Sequence, residues 1–456
     1  MADASLLGRG VFSRGYRAWF LTLSIVISSL AVMDRTSVLT MGQAIKLDLK
    51  LTDFQFGIIS GFGYALFYAI LGLPLARLAD TRSRIRLIAL AVALFSAFVA
   101  LCSFARSFIQ LFLCRITVGL GEAGVQPPTI SMVSDLYPPQ ARGRALSLLS
   151  IGLGLGALVG PIGSGFVAEH ANWRIVFLAL GAPGVLCGLL AWLTLREPPR
   201  GLSEGRAQAE TEPAPPVMAI VRLLAGKPTF WCIVVAMAFS TLGSAGVGAF
   251  LPQFFARQFQ LGSSGVGLLF GVIGALSMLT GMLSGGFVGD WVSRQDRRWY
   301  VWLPALGMVV ATPLYLGAFL LPDRIAALAS LTVAGASLFV YYAPVQVVMQ
   351  NMVEPRMRGT ATYIFFLVSS LAGFGLGPAV LGQLSDHLAG QAFGAGDYLA
   401  ACPGGKALAA GAIAQVACDH ASAQGLKWAM SLMSCLYVGA AVAFAVAARW
   451  IRRDLD

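Results

Sequence analysis

Four ionisable side chains stand inside long apolar stretches of this chain and are its first candidates for chemistry. Asp34 and Arg35 lie in one stretch, and Arg115 and Glu122 lie in another. Placing one such charge at the middle of a membrane costs about 2.5 to 3.5 kcal/mol on insertion scales, which marks it as a functional candidate. A desolvated carboxylate binds a proton more readily than one in water, and an arginine carries a permanent charge that attracts an anion.

The spacing of these residues predicts how they are arranged on helices. Arg115 and Glu122 are seven positions apart, about two helical turns or 10 Å of rise, so they share one face of a helix. Asp34 and Arg35 are consecutive and project about 100° apart. We therefore expect one of them to face a cavity and the other to reach a neighbouring helix.

The four charges cancel when both acids are ionised. Protonating either acid would leave an excess positive charge that an anionic group could balance, so that proton and anion would bind cooperatively. We therefore predict that Asp34 and Glu122 handle a proton, while Arg35 and Arg115 hold an anionic group or tune the acids. The alternative is a structural ion-pair network in which two acids and two bases only neutralise each other.

Composition identifies the elements that must position these residues. Hydrophobic residues make up 57% of the 456 residues and charged residues 12%, whereas soluble chains carry about 25% charged residues. The mean hydropathy is +0.76. These values predict an all-α integral membrane protein with twelve spans of about 20 residues. The spans are predicted near residues 18–40, 54–79, 86–105, 109–134, 144–168, 173–195, 229–255, 265–289, 299–321, 325–352, 360–385 and 427–448.

The distribution of basic residues predicts the orientation of the spans. With both termini in the cytoplasm, inner segments hold 22 of the 32 Lys and Arg residues and outer segments hold 8, while Arg35 and Arg115 lie within spans. This bias favours a topology with both the N-terminus and the C-terminus inside. The net charge of +11 then reflects topology and attraction to membrane lipids, so no nucleic-acid partner is expected.

An internal repeat divides the chain. In residues 142–170 and again in residues 358–387, Arg-Gly opens an apolar run, Gly-Pro interrupts it, and a Gly, an acid and a His close it. Such duplication predicts two pseudo-symmetric six-helix halves, residues 1–195 and 228–456, joined by a polar, Pro-rich cytoplasmic linker at 196–227. Two membrane halves that work against each other suggest a transporter.

A second repeated element predicts an inner gate. Asp80 and Asp290 each stand at the inner end of an apolar run and are followed by basic residues. Such an acid can dock on the positive N-terminus of a helix from the other half and pair with an arginine, for which Arg142 and Arg358 are candidates. We expect Asp80→Asn to shift the resting population toward an inward-open state, measured with an inner-cavity cysteine probe. No change would mean that Asp80 only sets topology.

Neutral polar residues are the candidates for solute contacts in the second half. Tyr341 and Gln346 lie in the tenth span and Tyr363 in the eleventh. An aromatic and amide lining suits an amphiphilic or aromatic solute, although ordinary helix packing would use the same residues.

Several motifs resemble those of a known family. The acid-then-basic elements, RITVGLGEA in the fourth span and GLGLGALVGPIGSG in the fifth resemble signature motifs of the major facilitator superfamily. More narrowly, MDRTSV, RITVGLGEAG, SDLYPPQARGRALS and REPPRG resemble the spinster branch, whose members carry lipid-like solutes such as lysolipids and sphingoid phosphates. The resemblance implies the family's fold, a bacterial inner-membrane location, and roles in substrate and proton handling for Asp34, Arg35, Arg115 and Glu122.

Together these features predict a monomeric, proton-coupled secondary transporter that works by alternating access, moves an amphiphilic or lipid-like anionic solute, and needs no cofactor or metal. The alternative is a proton-coupled symporter of small organic anions such as hexuronates or aromatic acids. A channel would show flux that does not depend on the proton gradient. A membrane enzyme would need convergent catalytic groups, but His170, His387 and His420 fall at outer ends or in loops, and no hydrolase or zinc-protease motif occurs.

Two of the seven cysteines are candidates for a disulfide. Cys402 and Cys418 stand in what reads as one long polar loop between the last two spans. The topology places that loop outside the cytoplasm, where disulfides persist, so a bridge is favoured over two free thiols. The other five cysteines lie in apolar runs and are expected to be packing residues.

Overall fold

A computed structural model gives the structure of the protein, and no strand occurs in the ranges that it describes. Those ranges are residues 12–63, 65–66, 70, 74–75, 78, 82–199, 217–353, 365, 367, 369–394, 396–408 and 412–455. Within them, ten helices are long and apolar enough to cross a membrane. The remaining two predicted spans, near 54–79 and 360–385, overlap residues outside the described ranges. The all-α, twelve-span prediction agrees with this arrangement.

The helices before the predicted linker are α1 to α8. They are α1 (Arg14–Thr40), α2 (Gly42–Leu49), α3 (Asp53–Gly57), α4 (Arg84–Cys102), α5 (Phe108–Ala123), α6 (Gln126–Leu136), α7 (Pro139–His170) and α8 (Trp173–Thr194). A π-helical turn, Ile58–Phe62, continues α3. The fourth predicted span is therefore built from two helices, α5 and α6.

The helices after the predicted linker are α9 to α19. They are α9 (Val217–Ala225), α10 (Pro228–Phe259), α11 (Ser263–Ser293), α12 (Trp299–Leu320), α13 (Arg324–Phe339), α14 (Tyr342–Asn351), α15 (Gly377–Phe393), α16 (Tyr398–Ala401), α17 (Ala412–Ser434), α18 (Leu436–Ala447) and α19 (Ile451–Leu455). A π-helical segment, Leu371–Leu376, leads into α15.

The last span begins earlier than the sequence predicts. Helix α17 starts at Ala412 rather than near residue 427, so Cys418 lies on a helix and not in a loop. The stretch is polar enough to read as a connection, but it is rich in Ala and holds no Pro, and Ala has the highest intrinsic helix propensity. The helix therefore extends beyond the apolar part of the sequence.

One compact unit comprises residues 1–41 and 63–212. In it α1 packs along α7, and α4 packs against both α8 and α5. The contact between α1 and α7 depends on glycine: a Cβ at Gly156 would lie 2.6 Å from the carbonyl oxygen of Ser29, and one at Gly160 would lie 2.9 Å from the Cα of Met33. Small residues thus let the two backbones approach closely, as membrane helix pairs require.

A buried arginine joins two of the motifs that resemble the spinster branch. Arg84 is 1% exposed and contacts carboxylates from both motifs. It pairs with Asp135 of SDLY, and its Nε donates to Glu197 Oε1 of REPP at 2.8 Å. Its Nη2 also donates to the carbonyl oxygen of Pro198 at 2.7 Å. The two motifs therefore meet at one structural ion cluster.

We expect Arg84→Ala to destabilise the protein by on the order of 3 kcal/mol, because removing one member of a buried ion pair leaves the other without its counter-charge. Thermal unfolding in detergent measures the loss. Arg86→Ala is the matched control, since Arg86 lies on the same helix and is exposed. Equal melting temperatures for the two variants would show that the cluster contributes no stability.

The second compact unit comprises residues 42–62 and 213–456. Helices α2 and α3 come from the first part of the sequence but pack here, with α3 on α15 and α2 on α10. The approach is close, since a Cβ at Gly382 would lie 2.6 Å from the carbonyl carbon of Asp53 and one at Gly57 2.6 Å from that of Pro378. Compact packing thus does not follow the division at the linker, and the two six-helix halves stay a prediction.

Cys402 and Cys418 form a disulfide in this second unit, with Cα atoms 5.8 Å apart. This is the pair that the sequence predicts. The bridge lies in a small core with Ala389, Tyr398 and Ala421.

The disulfide segment also contacts α2. Gly404, two residues after Cys402, has φ of +68°, and a Cβ there would lie 2.7 Å from the Cα of Lys50. Glycine is required here both by its backbone conformation and by the contact. The segment closed by the disulfide is thus packed directly against α2.

We expect Cys402→Ser combined with Cys418→Ser to lower stability by about 3 kcal/mol, because the bridge closes a short segment and removes entropy from the unfolded chain. Melting temperatures with and without reductant measure the effect, and Cys435→Ser, an exposed free cysteine, is the control. Free, alkylatable thiols at both positions in protein taken from an oxidising compartment would contradict the bridge and the outer placement of the segment.

Candidate functional site

The four ionisable residues of the apolar stretches meet on α1 and α5 as two ion pairs. Arg115 donates from Nη1 to Asp34 Oδ2 at 2.7 Å. Arg35 donates from Nη2 to Glu122 Oε2 at 2.9 Å. Each helix thus supplies one acid and one base, and the pairs cross from helix to helix. We call these four residues the charge quartet.

The two pairs differ in exposure. The side chains of Asp34 and Arg115 are 1% and 2% exposed, whereas that of Arg35 is 38% exposed against 5% for its partner Glu122. The consecutive residues on α1 therefore face different surroundings, as their 100° separation predicts, about one third of a turn. One pair is sealed in the unit and the other reaches more open space.

The sealed pair keeps unused hydrogen-bonding capacity. Within the described part of the chain, Asp34 Oδ1 and Arg115 Nε have no hydrogen-bond partner. A buried polar atom without a partner carries a desolvation penalty of about 1 to 3 kcal/mol. Asp34 Oδ1 is therefore a position where a hydrogen-bond donor would be stabilised.

Local sequence fixes the position of Glu122. Helix α5 begins after Ser107, whose side chain accepts a hydrogen bond from the backbone of Gln110, and it ends at Ala123. Gly124 follows, and α6 begins at Gln126 with two prolines in its first turn. Because Pro lacks an N–H, the chain breaks here and restarts as a new helix. Glu122 thus lies in the last turn of α5, beside this break.

The predicted inner-gate residues are only partly described. Arg142 donates from Nε to the carbonyl oxygens of Ser134 and Tyr137, at 3.1 and 3.3 Å, and so contributes to the turn between α6 and α7. Asp290 is exposed in the last turn of α11. Asp80 and Arg358 lie outside the described residues, so the gate contact stays a prediction.

Two of the three predicted lining residues are described. Tyr341 stands at the junction of α13 and α14, with its ring 6.5 Å from that of Tyr342. Gln346 lies on α14, and its Oε1 is buried without a hydrogen-bond partner among the described residues. Tyr363 lies outside those residues. A role in solute binding stays a prediction for all three.

A further buried ion cluster lies in the unit that holds α2 and α3. Asp53, at the start of α3, accepts from Lys46 Nζ at 2.6 Å and from Arg257 at 2.7 and 2.8 Å. Ser385 on α15 donates to Asp53 Oδ2 at 2.7 Å. Arg257 on α10 also donates to Gln253 Oε1 at 2.7 Å. We call Lys46, Asp53, Arg257 and Ser385, with Asp386, the outer cluster.

Asp386 holds the start of α3 from a neighbouring helix. Its Oδ1 and Oδ2 accept from the backbone N–H groups of Asp53 and Phe54 at 3.0 and 2.8 Å. These are donors that the helix itself leaves unsatisfied. The outer cluster therefore joins α2 and α3 to α10 and α15 through side-chain ion pairs and through a backbone cap.

Electrostatics keep the central acid of this cluster ionised. Burial opposes the charged form of Asp53, but the charges of Arg257 and Lys46 outweigh it and hold the pKa of Asp53 well below its usual range. Burial and the charge of Asp53 raise the pKa of Asp386. The stability contributed by Asp53 is present above its ordinary pKa and is lost only as the pH falls through the lower folded value. Its ion pairs therefore persist at neutral pH.

The sequence alone does not indicate the outer cluster. Lys46, Asp53 and Arg257 lie near the ends of predicted spans, where charged residues are common. The one available signal was the repeated Gly, acid and His ending, whose acid in the second copy is Asp386.

Comparisons with known proteins agree with this architecture. The model of the Major Facilitator Superfamily matches residues 24–378. A solved structure of a bacterial homologue of the human lysosomal transporter Spinster, inward-facing and unoccupied, matches with a TM-score of 0.88 and 31% identity, covering 97% of this chain and 99% of that chain.

Two relatives show the same likeness in sequence. An MFS-type efflux pump of Mycolicibacterium smegmatis is 31% identical over 384 residues, 82% of this chain and 85% of the pump. Protein spinster of Drosophila melanogaster is 26% identical over 390 residues, 82% of this chain and 63% of that protein. The chain therefore belongs to the Major Facilitator Superfamily and, by its likeness to the bacterial Spinster homologue, to the spinster branch of that family.

Proposed function

We propose that this protein is a secondary active transporter that couples the movement of an amphiphilic or lipid-like anionic solute to protons. It works by alternating access as a monomer in the bacterial inner membrane. The charge quartet carries the proposal, because two acids and two permanent positive charges converge in an apolar unit.

Proton binding follows from the balance of the charge quartet. With Asp34 and Glu122 ionised, the two acids neutralise the two arginines. A proton on either acid releases the charge of its arginine partner, and an anionic solute group then restores neutrality. Solute and proton thus favour each other's binding, and by linkage the effect is reciprocal.

The two ion pairs of the charge quartet have different roles in this proposal. Arg35 is the more exposed base, at 38%, and contacts the anionic group of the solute. In the sealed pair of Asp34 and Arg115, the proton binds at Asp34 Oδ1, which has no hydrogen-bond partner among the described residues. Tyr341 and Gln346 stay predicted contacts for apolar and neutral parts of a solute.

Alternating access requires contacts that form in one state and break in the other. The outer cluster fits this need for the outer end. It joins α3 to α10 through the ion pair between Asp53 and Arg257, and to α15 through hydrogen bonds with Ser385 and Asp386, and these contacts can separate and re-form. Asp80, Arg142, Asp290 and Arg358 serve the same purpose at the inner end. Closing one end while opening the other moves the bound solute across.

The test begins by identifying what the protein binds. Mass spectrometry of lipids that co-purify with the protein supplies candidate solutes. Proteoliposomes with an imposed pH gradient then measure their transport. Gradient-driven uptake of a lysolipid that unlabelled lysolipid inhibits would support the proposal.

A proton-coupled symporter of small organic anions is the second candidate. Such a symporter would use the same charge quartet, but its solute would not need an apolar part. Inhibition by hexuronates or aromatic acids, with no effect of lysolipids, would favour it and would overturn the lipid-like solute. Solute flux that does not depend on the pH gradient would overturn proton coupling for either class of solute.

A further inference from the structure

A polar pocket at one end of α11 stands apart from the charge quartet and from the outer cluster. It has a volume of about 510 Å³ and is lined by Asp290, Ser293, Arg294, Arg297, Tyr300 and Asn351. We propose that this pocket binds the phosphate head group of an anionic phospholipid of the cytoplasmic leaflet.

The chemistry of the lining suits phosphate. Two guanidinium groups, from Arg294 and Arg297, bring fixed positive charge and several N–H donors. Tyr300 and Asn351 add a hydroxyl and an amide donor. The planar guanidinium group of arginine can donate two parallel N–H groups to phosphate oxygens, a geometry that an ammonium group cannot match.

The lining of the pocket holds two arginines and one aspartate. Asp296, in the connection between α11 and α12, is already occupied by Arg452, whose Nε donates to it at 3.2 Å. Asp290 lies one turn before Arg294 on α11, yet in the described part of the chain no carboxylate forms an ion pair with Arg294. Arg294 therefore keeps its charge available for an anion.

An apolar stripe on α11 leads to the same pocket. Leu283, Phe287 and Trp291 are spaced by four positions, so they share one face of the helix. Their exposed fractions are 57%, 76% and 65%. Arg294 follows Trp291 by three positions and continues that face. An acyl chain on the stripe would thus place its head group at the pocket, an arrangement that free phosphate would not need.

The membrane topology indicates which leaflet supplies the lipid. The positive-inside rule places this end of α11 in the cytoplasm. Anionic lipids of the cytoplasmic leaflet are attracted to basic residues near the membrane surface, and basic pockets between helices on this side hold lipid head groups. The site therefore faces the leaflet that can supply its ligand.

Native mass spectrometry of the full-length protein tests the proposal, with phosphatidylglycerol and phosphatidylcholine as probes. We expect wild-type protein to retain phosphatidylglycerol preferentially and Arg294→Gln to reduce that retention about fivefold. Arg298→Gln is the matched control, since it removes the same charge from an exposed arginine that does not line the pocket. Phe287→Ser should also reduce retention without changing the charge.

Three outcomes would overturn the proposal. Equal losses of phosphatidylglycerol retention in Arg294→Gln and Arg298→Gln would show that only general attraction to surface charge holds the lipid. Displacement of the lipid by millimolar inorganic phosphate would make the site a free-phosphate site. Unchanged retention of phosphatidylglycerol in Phe287→Ser would show that the apolar stripe does not bind an acyl chain. If Arg294→Gln fails to fold, Tyr300→Phe replaces it, and full retention in that variant with an intact melting temperature counts against the pocket.

Discussion

Asp34→Asn is expected to abolish uphill, gradient-driven transport while leaving measurable solute binding. Asn keeps the volume of the side chain but cannot take up a proton, and it leaves Arg115 permanently without its counter-charge in a site where both partners are almost fully buried. The anion-binding charge of Arg115 is then always present, so binding depends less on a proton. The loss of coupling should reduce uphill accumulation by at least about 100-fold.

Counterflow and equilibrium binding separate the two effects of this substitution. Asp34→Asn should still exchange solute across the membrane at equal pH, and it should bind solute with a weaker dependence on pH than the wild type. Asp323→Asn is the matched control, because Asp323 caps α13 from outside the quartet and Asn caps equally well. Full uphill transport by both Asp34→Asn and Glu122→Gln would reduce the quartet to a structural network.

The second large effect is expected at the outer cluster. Asp53→Asn should shift the protein toward a state in which α2 and α3 separate from α10 and α15. The substitution leaves Lys46 and Arg257 buried without a carboxylate between them, and losing one partner of a buried ion pair costs about 3 to 5 kcal/mol. A change of 3 kcal/mol corresponds to about two orders of magnitude in population.

Pulsed EPR distances measure this shift. Labels at the exposed positions Asp48 and His387 report the separation of α2 from α15, in protein whose five free cysteines are replaced by Ser. Asp296→Asn is the control, because it breaks an ion pair in a different part of the same unit. If Asp53→Asn and wild type give one distance distribution, the outer cluster does not hold the closed contact.

The sequence was sufficient to locate the quartet because a charge in an apolar run is conspicuous on its own. Asp34, Arg35, Arg115 and Glu122 each stand out by residue type, and helical geometry places the last two on one face. Which acid meets which arginine depends on the register between α1 and α5. The position of α1 is fixed by its packing along α7, including the close approach at Gly156 and Gly160.

The outer cluster and the Arg84 cluster were not predictable in the same way. Asp53 and Arg257 are 204 positions apart in the chain, and each has the unremarkable appearance of a charge near a span end. Only the folded contact of α3 with α10 and α15 makes them partners. The start of α17 differs from the prediction for another reason: hydropathy marks where a helix leaves the membrane, whereas an Ala-rich sequence lets the helix continue beyond it.

The central claim is that the charge quartet couples solute movement to protons. Its most direct test is solute-driven proton movement in proteoliposomes that contain a pH-sensitive dye and a solute identified by co-purification. An outward or inward solute gradient applied at equal pH should drive proton movement in wild-type protein and none in the double variant Asp34→Asn with Glu122→Gln, while that variant still exchanges solute. Wild-type solute movement without any accompanying proton movement would contradict the claim.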